Sequence, residues 1–214
     1  MARKARTARA AYGTYSSQRE AATRATHDTI LRTARNLFSR QGYANIGISA
    51  IAAAAGISRP TFYLHFPTKM AVLHELIAEF EEGIVALYEE LAAIDQPTLE
   101  RLAEWVARFL AYCESDRKTV LLVLSTIPTE ADIAQSWADL YQRLLTIAGT
   151  GHRAFALAAS GEDRMVRGRA ISLLGQIEAL PRMVMAAVPL CDPQSLTQAL
   201  AENLFHFLKE EGCR

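Results

Sequence analysis

The stretch Gly47 to Lys69, GISAIAAAAGISRPTFYLHFPTK, constrains what this chain can fold into more than any other part of it. Gly56 follows a run of four alanines, at a position where a left-handed residue can end a helix. Ser58 can cap the next helix, whose first turn tolerates Pro60 because the N–H groups there have no intrahelical partner. We therefore predict two short helices joined by a tight turn, as in a helix-turn-helix motif.

Two aromatic residues are expected to anchor the second of these short helices. Phe62 and Phe66 are four residues apart, so they share one face, which we expect to point inward. Arg59, Thr61 and Tyr63 are then left on the outer face. A short helix with an apolar inner face and a polar outer face is typical of a helix that reads DNA.

The outer residues of this helix, which runs from Ser58 to Leu64, are chemically suited to the major groove of DNA. Arg59 can reach a guanine edge or a phosphate, and the methyl or hydroxyl group of Thr61 can meet base edges. Pro60 adds an apolar surface that suits a thymine methyl group. These residues are therefore candidates for contacts that position the helix or specify the bases.

The segment IAAAAGISRPTFYLHFPTK resembles the signature of the tetracycline-repressor (TetR) family of bacterial transcription regulators. The resemblance extends over about Ala22 to Leu76. It implies that Tyr63, His65 and Lys69 contact phosphates of the operator DNA. The positions of the motif that match the family are Ile51, Ala52, Ala55, Gly56, Ile57, Ser58, Thr61, Tyr63, His65, Phe66 and Lys69.

One departure from the family pattern concerns the start of helix 2. The family usually has Thr followed by Ser or Thr where this chain has Ile46 and Gly47. A hydroxyl that caps helix 2 and touches a phosphate is therefore missing. Glycine is an acceptable cap residue, and the backbone N–H of Gly47 is the group left for a phosphate contact.

The formal net charge of zero is distributed unevenly along the chain. Residues 1–70 hold eleven Lys or Arg and two Asp or Glu, a net of +9, whereas residues 71–214 have a net of −9. The basic part coincides with the helix-turn-helix motif and indicates that this end meets a polyanion. Chance clustering of charges on a solvated surface is the alternative.

The first nineteen residues form a segment of their own in the sequence. Residues 1–19 contain Arg3, Lys4, Arg6 and Arg9 among alanines and have no firm apolar period, so we expect a basic flexible arm. Such an arm can lie along phosphates or in a minor groove. An unstructured leader that only aids solubility is the alternative.

Apolar residues recur at helical spacing through the rest of the chain, and no segment alternates as a strand would. Helix 1 is expected from about Glu20 or Thr26 to Arg40. Helix 4 is expected from Thr68 to about Ala93, either as a lever between two domains or simply as a long core helix. Five further helical segments are expected at about Pro97–Glu114, Lys118–Ile127, Thr129–Ala148, Glu162–Val188 and Pro193–Glu211, and the end of the third is open between Gly149 and Gly161.

These segments predict an all-α fold. An N-terminal three-helix helix-turn-helix domain, residues 20–70, would be joined by helix 4 to a larger helical domain, residues 71–214, for effector binding and dimerisation. No apolar run approaches the ~18 residues of a membrane span. The three cysteines show neither metal-ligand nor disulfide spacing. We expect a protein of the bacterial cytoplasm, associated with the nucleoid when bound to DNA, without a cofactor or metal.

The middle helices contain aromatic residues in an apolar setting, which suits a site for a small molecule. Members of the TetR family typically bind a small effector there and then release DNA, so the resemblance implies the same here. An ordinary core is the alternative for each aromatic residue, and the carboxylate among the candidates could instead be solvated. The candidate effector-binding residues are Trp105, Phe109, Tyr112, Trp137, Tyr141 and Glu178.

The last two helices are expected to form a homodimer. A reading helix of about two turns covers few base pairs, so specificity requires two copies on a palindromic operator. Gly168 and Gly175 are seven residues apart on one face and would allow a close approach of helices, giving a four-helix bundle. Packing within one chain is the alternative. The candidate interface residues are Ile171, Leu174, Gly175, Leu196, Leu200, Leu204 and Phe207.

The leading hypothesis is a dimeric DNA-binding repressor that leaves its operator when a small, largely apolar or aromatic effector binds. An activator is the nearest variant. An enzyme is not expected, because the sequence contains no HExxH, GxSxG, P-loop or GxGxxG motif. A helical adaptor that uses the helix-turn-helix for protein contact is the alternative from another class.

Overall fold

The computed structural model describes residues 2–127, 129–185 and 191–212, with the backbone alone for residues 2–17 and 212. Within these ranges the chain forms ten α-helices and no β-strand, which confirms the predicted all-α fold class. The helices are α1 (Ala2–Gln41), α2 (Ile48–Ala54), α3 (Arg59–His65), α4 (Lys69–Ala92), α5 (Leu99–Ser115), α6 (Arg117–Thr126), α7 (Ala131–Gly149), α8 (Arg153–Ser160), α9 (Arg164–Val184) and α10 (Pro193–Gly212).

The chain divides into two compact units, of which one ends at Leu76 and the other begins at Ile77. The sequence had suggested a boundary between residues 70 and 71. The first unit is built on apolar side chains that α1, α2, α3 and the start of α4 bury together. These side chains are Ile30, Leu31, Ala34, Phe38, Ile51, Ala52, Phe62, Phe66, Val72, Leu73 and Leu76.

Helix α1 begins earlier than the sequence pattern suggested. It starts at Ala2, rather than at Glu20 or Thr26, and includes most of the segment expected to be a flexible arm. That segment is rich in alanine and arginine, which have high helix propensities. The apolar period used to place the start reports only the buried part of a helix, and from residue 18 onward the first buried side chain of α1 is Ile30. An apolar pattern therefore marks the packed part of a helix and does not locate its first residue.

The second unit is centred on Trp105 of α5, which is fully buried. Its indole Nε1 donates a hydrogen bond of 2.6 Å to the carbonyl of Leu87 in α4, and its ring packs edge-on against Tyr88 at 5.4 Å between centroids. His152, also buried, has its Nε2 2.8 Å from the carbonyl oxygen of Leu91, one turn further along α4. A buried N–H group requires an acceptor, so these contacts fix α5 and the start of α8 against α4.

The segment whose helix boundary the sequence left open contains a break between two helices. Helix α7 ends at Gly149 and α8 ends before Gly161, which has a left-handed φ of 74°. Gly151 lies in the turn between them, against the backbone of α4. A Cβ atom added at Gly151 would lie 1.8 Å from the carbonyl oxygen of Ala92, so only glycine fits there without movement of the backbone.

We predict that Gly151→Ala destabilises the second unit by at least about 1–3 kcal/mol, because the new methyl group overlaps a backbone atom that cannot rotate away. Thr146→Ala is the control, because Thr146 is exposed on α7. The control should be neutral or stabilising by up to about 0.7 kcal/mol, the difference in helix propensity between threonine and alanine. Urea unfolding at two protein concentrations measures both variants. Equal stability of the two variants would contradict the close approach at Gly151.

Candidate nucleic-acid interface and apolar cavity

The turn between α2 and α3 has the geometry that the sequence predicted. Gly56 has a left-handed φ of 70°, and the N–H of Ile57 donates to the carbonyl of Ala52 at 3.0 Å. Ser58 Oγ then accepts a hydrogen bond from the N–H of Thr61 at 3.1 Å, which caps α3. Because turn and cap are both satisfied locally, the start of α3 is defined by its own sequence.

Helix α3 buries one face and exposes the other. Phe62 and Phe66 are buried, with ring centroids 6.0 Å apart. Arg59 and Tyr63 are exposed on the outer face, as expected. Leu64 is 84% exposed and was not singled out among the candidate DNA contacts. Its position two residues after the inward Phe62 and two before the inward Phe66 is the sequence signal that could have identified it.

The other candidate residues of α3 are less accessible than Arg59 and Tyr63, with the exception of the exposed Pro60. Thr61 is half-buried, and its hydroxyl oxygen is 2.7 Å from Ser58 Oγ, so the two hydroxyl groups are paired with each other. His65 is also half-buried, with its ring centroid 5.9 Å from that of His27. The side chains of Ser58, Thr61 and His65 therefore have local partners within the protein.

His27 of α1 connects the end of α3 to α4. Its ring stacks on Phe66 at 4.4 Å between centroids, and its Nε2 lies 2.5 Å from Glu75 Oε1. The contact therefore ties three helices of the first unit together. The His27 ring also lies near that of His65, at the end of α3.

Lys69, in the first turn of α4, has a partner on the protein. Its Nζ donates to the carbonyl of Tyr43 at 2.9 Å and lies 4.0 Å from the centroid of the Tyr43 ring. An ammonium group has three N–H donors, so this bond leaves donors that can reach an anion. The sequence suggested a phosphate contact, with a solvated cation as the alternative, and did not reveal this link between α4 and the loop after α1.

The unusual pair Ile46 and Gly47 has a structural explanation. Ile46 is buried in the first unit, so its side chain contributes to the core. Gly47 is exposed at the N-cap of α2, where no side chain provides a capping hydrogen bond. An added Cβ at Gly47 would meet no atom within 4 Å, so the position is open towards solvent.

The second unit contains a partly open cavity, whose walls come from α4, α5, α6, α7 and α9. Four of the six residues expected at an effector site lie on its walls, namely Phe109, Trp137, Tyr141 and Glu178. Trp105 and Tyr112 do not line it. Trp105 is fixed by its bond to Leu87, and Tyr112 donates its O–H to the carbonyl of Phe80 at 2.8 Å.

Glu178 is the one carboxylate that the described residues place on the cavity wall. Its Oε2 accepts a hydrogen bond from Trp137 Nε1 at 3.2 Å and a second from the hydroxyl of Tyr141. Burial, followed by the bond to Glu178, raises the pKa of Tyr141 well above its usual value, so this hydroxyl keeps its proton and donates it. The three residues form a polar group within an otherwise apolar wall.

Four of the seven residues expected at a dimer interface pack inside the single chain. Leu174, Leu200, Leu204 and Phe207 are buried, and the Phe207 ring packs on Phe155 at 5.0 Å between centroids. They face the core because α9 and α10 also contact α5 and α8, which the periodicity of one helix does not reveal. The other three are more accessible, since Gly175 is exposed and Ile171 and Leu196 are half-buried.

Residues 30–76 match the family model described as "Bacterial regulatory proteins, tetR family". The chain is similar to the HTH-type transcriptional regulator EthR of Mycobacterium tuberculosis, with 30% identity over 118 residues, 53% of this chain and 54% of EthR. An uncharacterized HTH-type transcriptional regulator of Bacillus subtilis, YdgC, is 39% identical over 62 residues, 29% of this chain and 32% of YdgC. The chain thus spans about half or less of the curated relatives it matches.

Solved structures extend the similarity in fold over most of the chain. A TetR-like regulator from Rhodococcus sp. RHA1 superposes with a TM-score of 0.65 at 21% identity, covering 86% of this chain and 96% of the other. PfmR, a TetR-family regulator from Thermus thermophilus, has a TM-score of 0.61 at 21% identity, with 84% and 97% covered. The named relatives are transcriptional regulators rather than enzymes, in agreement with the expectation from the sequence.

Within the described ranges, no three His, Cys, Asp or Glu side chains come together in a way that could hold a metal ion. None of the helices described here is both long and apolar enough to cross a membrane.

The cavity wall includes the thiol of Cys113, for which we predict low reactivity. Burial, followed by the charge of Glu114, raises the pKa of the Cys113 thiol to about 12. The thiolate is the reactive form, so at pH 8 only about one Cys113 in 10⁴ can react. Cys191 is exposed. In a Cys213→Ser background, iodoacetamide should alkylate Cys191 at least about 100-fold faster than Cys113, as measured by peptide mass spectrometry.

The alkylation rate of Cys113 should rise about tenfold for each pH unit between 8 and 10, because its thiolate fraction rises tenfold per unit below the pKa. Equal rates for the two cysteines at pH 8 would contradict the burial of Cys113.

Proposed function

We propose that this chain, a member of the tetR family of bacterial regulatory proteins by its residues 30–76, is a DNA-binding regulator. We propose further that it is dimeric and binds a specific DNA sequence. One observation carries the proposal: α3 exposes Arg59, Tyr63 and Leu64 while its opposite face is buried. The net charge of +9 on residues 1–70 suits the phosphates of DNA. Such a regulator acts in the bacterial cytoplasm, where the chromosome lies.

Base recognition is assigned to the outer face of α3. Arg59 can form a bidentate contact with the O6 and N7 atoms of a guanine. Pro60 and Leu64 are four residues apart and both exposed, so they form one apolar surface that suits thymine methyl groups. The hydroxyl of Thr61, already paired with Ser58, contributes at the edge of this surface.

Phosphate contacts are assigned to groups at the ends of the motif. The exposed Tyr63 can offer its hydroxyl, and His65 can offer a ring N–H. Lys69 keeps donors beyond its bond to Tyr43. Gly47 contributes only its backbone N–H, so this chain has fewer side-chain phosphate contacts than the family pattern implies.

Dimerisation is assigned to the outer face of α9. Met165 and Met183 are 70% and 43% exposed and lie about five helical turns apart, on the same side as Gly168 and Gly175. An added Cβ at either glycine would meet no atom within 4 Å, so this side is open within the chain. Two copies of α9, each supported by α10, can then pack as a four-helix bundle.

The regulatory step is assigned to the cavity of the second unit. A small, largely apolar or aromatic effector that binds there more tightly in one conformation shifts the protein towards that conformation. If the two reading helices of the dimer are wrongly spaced in that conformation, the operator is released. We propose a repressor on this basis, with an activator as the variant that uses the same coupling in the opposite direction.

A helical adaptor remains the competing function, and one experiment separates the two. Binding sites are selected from random DNA with the full chain, and the affinity is measured at about 50 and 200 mM salt. A palindromic site whose affinity falls by ~10³–10⁵ over this range supports the regulator, because about 6–10 neutralised phosphates give that slope. No selected site and no binding at the lower salt concentration would favour the adaptor.

We predict that Arg59→Ala weakens binding to the selected operator by about 1–3 kcal/mol, since a bidentate contact to guanine is lost. Arg153→Ala removes one exposed cation from α8 and is the matched control, expected to change affinity by less than about 0.5 kcal/mol. Fluorescence anisotropy on the operator and on a scrambled duplex measures both variants. An equal loss on both duplexes would make Arg59 a phosphate contact and refute its role in base recognition.

We predict that Gly175→Arg converts the dimer to a monomer, because two charged side chains would be buried at the centre of the α9 interface. The position is open within the chain, so the monomer should still fold. Ala107→Arg, at an exposed position of α5, adds the same charge elsewhere. Light scattering should show dimers for the wild type and the control, with at least ~100-fold weaker association of Gly175→Arg. Unchanged dimers would remove α9 from the interface.

A further inference from the structure

The cavity of the second unit combines an aromatic wall with a negative group. Phe80, Tyr88, Phe109, Trp137 and Tyr141 supply the rings, and Glu178 supplies the carboxylate. The remaining wall positions among the described residues are aliphatic side chains, Pro181 and the Cys113 thiol. A polar group placed in an apolar cavity fixes the orientation and the chemical class of what binds there.

The carboxylate of Glu178 has neutral partners only. Trp137 and Tyr141 both donate to the same oxygen, Oε2. No Lys, Arg or His of the described residues forms an ion pair with Glu178. A charge in a mainly apolar wall is stabilised most by an opposite charge, and within this part of the chain the protein does not provide one.

The aromatic rings beside the Glu178 carboxylate can attract a cation. The faces of Trp and Tyr carry negative charge density, and a cation within about 6 Å of such a face is attracted to it. Trp137 and Tyr141 have centroids 6.2 Å apart and both reach Glu178. Both rings line the cavity beside this carboxylate, so an ammonium group held there, including a quaternary one without N–H donors, would also lie near aromatic rings.

We propose that this cavity binds an organic cation, an amine or quaternary ammonium group attached to an apolar, aromatic body. The cationic group lies at Glu178, between Trp137 and Tyr141, and the apolar body fills the space towards Phe80 and Phe109. The class of ligand rests on the cavity alone, whereas its effect on DNA rests on the proposed function. Carboxylate ligands of the same shape are excluded, because they would place a second negative charge beside Glu178.

The test uses three soluble probes that share one phenylalkyl body and differ in charge. They are 3-phenylpropyltrimethylammonium, 3-phenylpropan-1-ol and 4-phenylbutanoate. Isothermal titration calorimetry on the full chain should give the cation at least about tenfold tighter binding than the alcohol, with the anion the weakest. Equal affinity for cation and alcohol, or tighter binding of the anion, would overturn the proposal. This series on the wild-type chain requires no variant.

The variant Glu178→Gln tests whether this carboxylate causes the preference for the cation over the alcohol. The amide oxygen can still accept from Trp137 and Tyr141, so the change removes the charge and keeps the shape. The variant should lose the preference for the cation, by about tenfold or more, and keep its affinity for the alcohol. Glu104→Gln removes an exposed charge from α5 and should leave all three affinities unchanged. An undiminished preference in Glu178→Gln would overturn the assignment.

The regulatory consequence is measured separately on the operator selected above. The cation, at concentrations that saturate the cavity, should lower operator affinity in the wild type and not in Glu178→Gln. Binding of the cation without any effect on DNA would refute effector control and leave the ligand class established. If the alcohol releases the protein from operator DNA and the cation does not, effector control is supported and the proposal of a cationic ligand is overturned.

Discussion

The burial of Phe62 and Phe66 is the interaction on which the helix-turn-helix of this protein depends. A helix as short as α3 is not stable alone. The Ser58 cap contributes about 1 kcal/mol, whereas each buried phenylalanine contributes about 1.5–3 kcal/mol. These two rings therefore set the rotation of α3 about its axis. That rotation turns Arg59 and Leu64 outward, so the same contacts determine the stability of α3 and the face proposed for base recognition.

In the second unit, hydrogen-bond partners divide the aromatic residues into two groups. Trp105 and the half-buried Tyr112 donate to backbone carbonyls of α4, and moving either would leave its donor without this acceptor. Trp137 and Tyr141 donate to the Glu178 side chain, which, unlike a backbone carbonyl, can move by rotation about its own bonds. The first group holds the helices in place. The second group borders the cavity and can exchange partners at a smaller cost.

Helix α9 has an inner face that packs in the core of its own chain and an outer face that is exposed. The inner faces of α9 and α10 bury Leu174, Leu200 and Leu204 in the core of their own chain. A substitution at these leucines would therefore test folding rather than dimerisation. The outer face of α9 exposes Met165 and Gly175 instead. The residues that the sequence suggested for an interface therefore lie on both faces of α9, because Leu174 is buried within the chain whereas Gly175 is on the exposed side that the proposed dimer uses.

The sequence by itself determined the helical fold class, the left-handed turn at Gly56, the cap at Ser58 and the inward phenylalanines of α3. These features depend on residues within about four positions of each other, where helix geometry defines which side chains meet. Only the tertiary structure decided that Lys69 bonds to Tyr43, that Trp105 lies outside the cavity wall while Trp137 is on it, and which leucines are buried. The physical reason is that these contacts join helices far apart in the chain, and the period of a single helix does not specify its neighbours.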